Sequence, residues 1–345
     1  MRCNITSVTL FFTAITCAAY ARPQAPGDDS PTSSAAAAHT QANDSSVVSL
    51  HLAPGVEVGM WVWHREEVVD PATRERLLEF CQTYGITRIF VQVRFLPGPD
   101  GRTSLATPEA WHALLTDAGR AGIEVEALDG GNEMGFAENR ADTLAKLDAV
   151  LAFHRAQPAD ARFVGIRYNI EPYTSARWRA GEIQAVMREF LETATALRAA
   201  VRAADPALTI SHDIPAFYDG QDKYILRFDG AEKNFHRHIQ DLADFIGLMS
   251  YRTQATGPNS VAAISAGELA YGREIGRRVF LSLETVPLAD TPQITFHGRT
   301  PEEYRAAIRE LTDHLADDDA FGGLFLHQYR TIRTLLEGPA TPARP

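Results

Sequence analysis

The sequence predicts a single closed (β/α)8 barrel, and three observations predict it. Eight short runs of β-type apolar residues alternate with helical patterns between residues 50 and 337. The runs are nearly continuous in apolar residues rather than alternating, as strands of a parallel sheet covered by helices are. No Gly-rich phosphate loop follows the first run, which disfavours an open doubly wound sheet. One barrel of this kind fills about 250 residues, so the 345-residue length does not require two folded domains.

The strands are expected at Val58–Trp63, Arg88–Val93, Ile123–Leu128, Phe163–Ile170, Leu208–Ile214, Phe245–Ser250, Val279–Leu283 and Gly323–Leu326. The first helix, Pro71–Tyr84, has Asp70 as N-cap, Pro71 at its first position and Gly85 to close it. Thr107–Ala121 opens with Thr107-Pro108-Glu109 and is followed by Gly122. Asp142–Arg155, Glu182–Ala204, Ala262–Ile275 and Pro301–Leu315 continue the alternation, with weaker helices at Lys233–Asp241 and Ile332–Leu336.

The two ends read differently. Met1–Ala21 has Arg2, an apolar stretch from Val8 to Ala19 and the small-x-small site Ala19-Tyr20-Ala21, the pattern of a secretory signal. At about 12 residues the stretch is too short to span a bilayer, which takes about 20. Arg22 to Val48 is rich in Pro, Ser, Ala, Asp and Gln and reads as a tether, with a glycosylation sequon at Asn43-Asp44-Ser45. The segment from Gly338 to Pro345 is Pro-rich and reads as a flexible tail. Loss of the signal removes Cys3 and Cys17 and leaves Cys81, expected in the core. The net charge of −11, from 33 basic and 44 acidic residues, argues against a nucleic-acid partner. The expectation is a secreted or periplasmic monomer without stable membrane insertion.

Chemistry in such a barrel belongs at the C-terminal strand ends. All eight carry polar groups: Trp61-Val62-Trp63-His64, Gln92-Val93-Arg94, Asp129-Gly130-Gly131-Asn132-Glu133, Asn169-Ile170-Glu171-Pro172-Tyr173, His212-Asp213 reaching Tyr218-Asp219, Met249-Ser250-Tyr251-Arg252, Ser282-Leu283-Glu284 and His327-Gln328-Tyr329. On the fourth strand, alternation puts Arg167, Asn169 and Glu171 on one face and Ile166, Tyr168 and Ile170 on the other. The apolar set suits the helix side, so the polar trio faces the lumen. Arg167 then needs a buried partner. At the lip, partial burial suits Glu171 to general acid work.

The stretch Gly165-Ile166-Arg167-Tyr168-Asn169-Ile170-Glu171 resembles the fourth-strand DGxDxDxE motif of family 18 glycoside hydrolases, the chitinases. Its glycine and final glutamate match, whereas Val164, Arg167 and Asn169 stand where that family has aspartates. Met249-Ser250-Tyr251 matches the sixth-strand M-x-Y, with Arg252 in place of aspartate. The resemblance implies Glu171 as acid/base and Tyr251 as a sugar contact. The Asn-x-Glu form is similar to family 85 endo-β-N-acetylglucosaminidases, which implies that Asn169 orients a substrate N-acetyl group that attacks the anomeric carbon itself. A second resemblance is to clan A retaining glycosidases, which carry acid/base and nucleophile glutamates on strands four and seven. Glu171 and Glu284 occupy those places, although Ile170 separates the asparagine from the glutamate that adjoins it in the clan. This resemblance implies Glu284 as nucleophile. The matches cover short motifs, not the whole chain.

Aromatic residues add a reason to expect sugar. Trp61 and Trp63 share a face of the first strand, and Tyr173, Trp178, Tyr218, Tyr251 and Tyr329 lie at or past strand ends. Sugar C–H faces stack on such rings, and sugar hydroxyls need polar neighbours such as Arg94, Asp129, Asp213 and Gln328. His64, Arg252 and His327 complete the expected contact set. No cofactor is expected. His64, Asp129, Glu171, His212, Asp213 and His327 lack HxH, HxxxH or HExxH spacing, so no metal ligands are assigned, and His236-Arg237-His238 is expected to be solvated. The reading is therefore a secreted glycoside hydrolase acting on an oligo- or polysaccharide. Glu171 would be general acid/base, with either Glu284 as nucleophile or Asn169 assisting N-acetyl participation. A non-catalytic carbohydrate-binding barrel and a metal-dependent barrel hydrolase are the alternatives.

Overall fold

The structure, a computed structural model, describes Leu50 and residues 55–98 and 101–338. The signal at Met1–Ala21, the tether at Arg22–Val48, the sequon, Cys3 and Cys17 lie outside the described residues, as does the tail beyond Gly338.

Eight parallel strands close on themselves. They are β1 (Glu57–Val62), β2 (Arg88–Gln92), β3 (Glu124–Gly130), β4 (Gly165–Asn169), β5 (Thr209–Pro215), β6 (Phe245–Met249), β7 (Arg278–Glu284) and β8 (Phe321–His327). Each pairs with its sequence neighbours, and β8 pairs with β1. The helices that follow them are α1 (Pro71–Tyr84), α2 (Pro108–Arg120), α3 (Arg140–Ala156), α4 (Ile183–Ala204), α5 (Phe235–Leu242), α6 (Ala266–Ile275), α7 (Pro301–His314) and α8 (Tyr329–Glu337). The expected punctuation is in place at α1. Asp70 Oδ2 accepts from the Thr73 N–H at 2.8 Å, and Gly85 closes the helix at φ 69°. Cys81 is fully buried on that helix. Among the described residues no helix is long and apolar enough to cross a membrane.

The register separates two apolar layers. Ile166, Tyr168 and Ile170 pack outward with the helices, while Trp61, Phe90, Leu128, Phe245, Phe280 and Phe325 form a second cluster inside the barrel. Arg167 lies among these rings. Its guanidinium carbon stands 4.0 Å from the Phe90 ring centre and 4.4 Å from that of Phe325. Charge there is met by charge: Arg167 bonds both oxygens of Asp213, donates to Ser211 Oγ at 3.2 Å and lies 3.6 Å from Glu126. The lumen accommodates this only because Gly247 has no side chain. A Cβ at that position would collide with Arg167 and Asp213.

Several expectations change. The single helix expected over Ala262–Ile275 is broken: one turn at Val261–Ile264 precedes α6, and between them Ser265 Oγ donates back to the Val261 carbonyl at 2.7 Å. Two antiparallel hairpins were not foreseen, Phe95–Pro97 with Thr103–Leu105 and Ile225–Phe228 with Ala231–Asn234. The expected solvation of His236 and His238 is corrected: the second hairpin covers His238, and His236 lies against Glu268 and Tyr271 of α6. Both are buried on α5, and His238 Nε2 bonds the Leu226 carbonyl of that hairpin at 3.1 Å.

Candidate active site

The ends of β4, β7 and β8 supply the centre. Glu171 follows β4 by two residues, on the lumen face, and is half-buried. Asn169 Nδ2 donates to its Oε1 at 3.0 Å, and the Tyr173 hydroxyl donates to its Oε2 at 2.5 Å. Burial, then the Glu171 charge, pushes the Tyr173 phenol well above its usual range, so the hydroxyl keeps its proton. The backbone makes this arrangement possible. Pro172 starts a short 3-10 turn over Pro172–Thr174, which swings Tyr173 back to the carboxylate.

Glu284 ends β7 and is 5 % exposed. Its Oε1 accepts from the backbone N–H groups of Thr285 and Val286, each at 2.7 Å; the Thr285 N–H also reaches the His327 carbonyl at 2.8 Å. His327 Nδ1 stands 2.9 Å from both carboxylate oxygens, because the β7–β8 register sets Glu284 directly beside His327. On its other side the imidazole receives the indole N–H of Trp63 at Nε2, at 2.8 Å. Oε1 is therefore held by N–H donors, and Oε2 shares only the His327 bond.

Tyr251, just past β6, closes the group. Its ring lies 6.2 Å from His327, and burial together with the charges of Glu284, Asp213 and Glu171 raises its phenol well above the ordinary value. These three carboxylates thus act on one phenol. Trp61 floors the site: it is buried, and its indole N–H donates to Asp213 Oδ2 at 3.2 Å, above the Arg167 pair.

The remaining expected contacts are scattered. His64 and Arg94 are exposed at the rim. Burial, with the Arg330 charge next, lowers the His64 pKa. Arg252 bonds Asn259 Oδ1 at 3.0–3.1 Å in the loop after β6. Asp129 shares its register row with Tyr168 and His212, the row that faces the helices, and burial pushes its carboxyl up to about 6. Tyr218 is fully buried between Tyr173 and Phe235, within reach of the Glu171 charge, and Tyr329 is packed edge-on to Phe80 of α1. His212 is buried on the helix side, stacked at 5.7 Å on Tyr168. Among the described residues, no three His, Cys, Asp or Glu side chains stand together so as to hold a metal ion. The residues not anticipated are Thr285 and Val286, whose contribution is backbone, and Glu126 and Ser211 beneath the site. Strand alternation on β3 and β5 carried a signal for the last two.

No protein-family model matches the chain, and no curated protein matches it. Among solved structures, the chain is similar to a β-mannanase from the blue mussel Mytilus edulis (12% identity, TM-score 0.49, covering 82% of this chain and 90% of that one). It is also similar to the Bacillus megaterium spore cortex-lytic enzyme SleL (13%, 0.49, 83% and 74%) and to a chitinase from Bacteroides thetaiotaomicron (14%, 0.47, 84% and 99%). None of these values assigns the chain a family, and the chemistry of the site rests on its own side chains.

Proposed function

We propose that the chain is a retaining glycoside hydrolase in which Glu284 is the nucleophile and Glu171 the general acid/base. The observation that carries this is the difference between the two carboxylates' partners. Glu284 is surrounded by N–H donors, two from backbone and one from His327. Hydrogen bonds to a charged group are worth about 1.5–3 kcal/mol each, so these three fix the orientation of the carboxylate. With Oε1 anchored, Oε2 is the oxygen free to attack. Glu171 instead meets a hydroxyl at Oε2, and a tyrosine O–H can donate to a carboxylate or accept from a carboxylic acid. That partner suits a group that gives up a proton and takes one back.

In the first step Oε2 of Glu284 bonds the anomeric carbon while the glycosidic C–O bond breaks and Glu171 protonates the departing oxygen. In the second, Glu171 removes a proton from water, the water oxygen bonds the anomeric carbon, and the ester to Glu284 breaks. Trp63, beside Tyr251 at the mouth, supplies aromatic surface for the sugar ring, and Trp61 supports it from below. The amide N–H of Asn169 is directed to Glu171, and its Oδ1 is buried with no hydrogen-bond partner. The apolar stretch before Ala21 supports secretion or a periplasmic location, and the barrel is read as the catalytic domain of residues 49–337.

A panel of dinitrophenyl glycosides tests the assignment. Glu284→Ala should lose turnover and regain it with azide, which replaces the missing carboxylate. Glu171→Gln should release one equivalent of dinitrophenol in a burst and then stall, because no base remains for the water. Full turnover in either variant overturns the reading. Survival of Glu284→Ala together with tight binding of an oxazoline inhibitor would transfer the role to a substrate N-acetyl group oriented by Asn169.

A further inference from the structure

We propose that His327 is a positioning residue for Glu284 and that the indole N–H of Trp63 sets its tautomer, so that a sugar-stacking ring and the attacking carboxylate form one hydrogen-bonded unit. The inference rests on the reading of Glu284 as nucleophile. An indole N–H only donates, so His327 Nε2, 2.8 Å from Trp63 Nε1, carries no proton. The ring proton is then on Nδ1, which stands 2.9 Å from each oxygen of Glu284. The opposite tautomer would set N–H against N–H at Trp63 and leave Oε2 of Glu284 without a donor. The imidazole is boxed in by Trp61 at 5.5 Å, Trp63 at 5.9 Å and Tyr251 at 6.2 Å between ring centres. Of the two tryptophans only Trp63 is part-exposed, so the donor that fixes the ring is also the one a sugar reaches.

The groups facing the imidazole are Glu284 from β7, Glu171 from the end of β4, Asp213 from β5 and the Tyr251 phenol past β6, with Arg167 paired to Asp213 below. Burial favours the neutral ring. The charge and hydrogen bond of Glu284 more than offset burial, so His327 titrates above the ordinary imidazole value. A second proton must go to Nε2, and there it meets the Trp63 N–H. Protonation therefore requires Trp63 to swing away, so Trp63 in place opposes the second proton. Removing the indole N–H while keeping an aromatic ring frees Nε2 to take the proton and changes Glu284's partner from a neutral donor to a cation, which weakens it as a nucleophile.

Nitrogen-15 NMR of histidine-labelled full-length protein tests the tautomer without any substrate. On the alkaline side of its titration, His327 is expected to carry its one ring proton on Nδ1 and leave Nε2 bare. In Trp63→Phe the same ring should take its second proton at a higher pH. With a cleaved dinitrophenyl glycoside, Trp63→Phe should keep KM within about two-fold, lower kcat and move the acid limb of the kcat profile to higher pH. His327→Asn, which offers an amide N–H near the Nδ1 position, should retain about tenfold more kcat than His327→Ala. A wild-type ring with its proton on Nε2, or an acid limb unmoved in Trp63→Phe, overturns the proposal. A protein that cleaves no glycoside yet shows the Nδ1–H tautomer refutes the reading of the site and leaves the Trp63–His327–Glu284 unit standing.

Discussion

The hydroxyl of Tyr173 lies 2.5 Å from Oε2 of Glu171, two residues before it in the chain. The pair is local in sequence, and the turn at Pro172 creates it. Asn169 holds the other oxygen, so the carboxyl plane is fixed from both sides. Tyr173→Phe removes one of the two bonds and leaves the ring's packing on Phe217 at 5.1 Å unchanged. A hydrogen bond to a charged partner is worth about 1.5–3 kcal/mol, so kcat should fall by about ten- to a hundred-fold with little change in KM. Steady-state kinetics of the purified variant decide it, and an unchanged kcat would show that the phenol has no part in the proton transfers of Glu171.

Arg167 and Asp213 make a second prediction, about stability. Both are essentially unexposed, and the pair sits inside the barrel under Trp61. Removing one member of a buried pair leaves an uncompensated charge, at a cost of about 3–5 kcal/mol. Arg167→Met abandons Asp213, while Glu126 keeps Arg88 at 2.6 Å, and should lower the urea midpoint accordingly with the slope unchanged. The double change Arg167→Met with Asp213→Leu should recover most of the loss, because neither charge then remains. A single variant as stable as the parent would mean that water reaches the pair in solution.

What the sequence revealed of this barrel follows the range of the interactions involved. Asp70, Pro71 and Gly85 mark α1 through bonds spanning a few residues, and the lumen face of Arg167, Asn169 and Glu171 follows from strand alternation alone. The partners of Arg167 do not follow from it. Ser211 lies opposite Arg167 only through the β4–β5 register, which packing sets across 44 residues. His327 was legible as a strand-end histidine, but its bond to Glu284 needed the β7–β8 register. The hairpin over Ile225–Asn234 is short and polar, so hydrophobic periodicity missed it; Asp229-Gly230, both at positive φ, was the signal present. Nothing local to α5 reveals the hairpin that covers His238 or the α6 residues that cover His236, so the sequence of α5 alone points to solvent.

The last prediction concerns Glu268 on α6, which is fully buried with both carboxyl oxygens lacking a hydrogen-bond partner. The nearest basic atom, His236 Nδ1, is 3.8 Å away and is bonded to Gln240 at 3.0 Å. Burial, then the charge of Asp219, raises the Glu268 carboxyl well above its usual value, and burial pushes His236 down to about 4. Burial thus favours the uncharged form of both the acid and the imidazole. The folded state keeps a proton that the unfolded chain releases above the ordinary carboxyl pKa. Stability from this group is complete below that pKa and falls as pH rises, by about 1.4 kcal/mol per unit, until the folded pKa is reached. Glu268→Gln cannot ionise and escapes the loss. Its melting temperature relative to the parent should therefore climb as pH rises above the ordinary carboxyl pKa. Two parallel curves over that range would show that Glu268 is charged in the folded protein and has found a partner, such as a buried water.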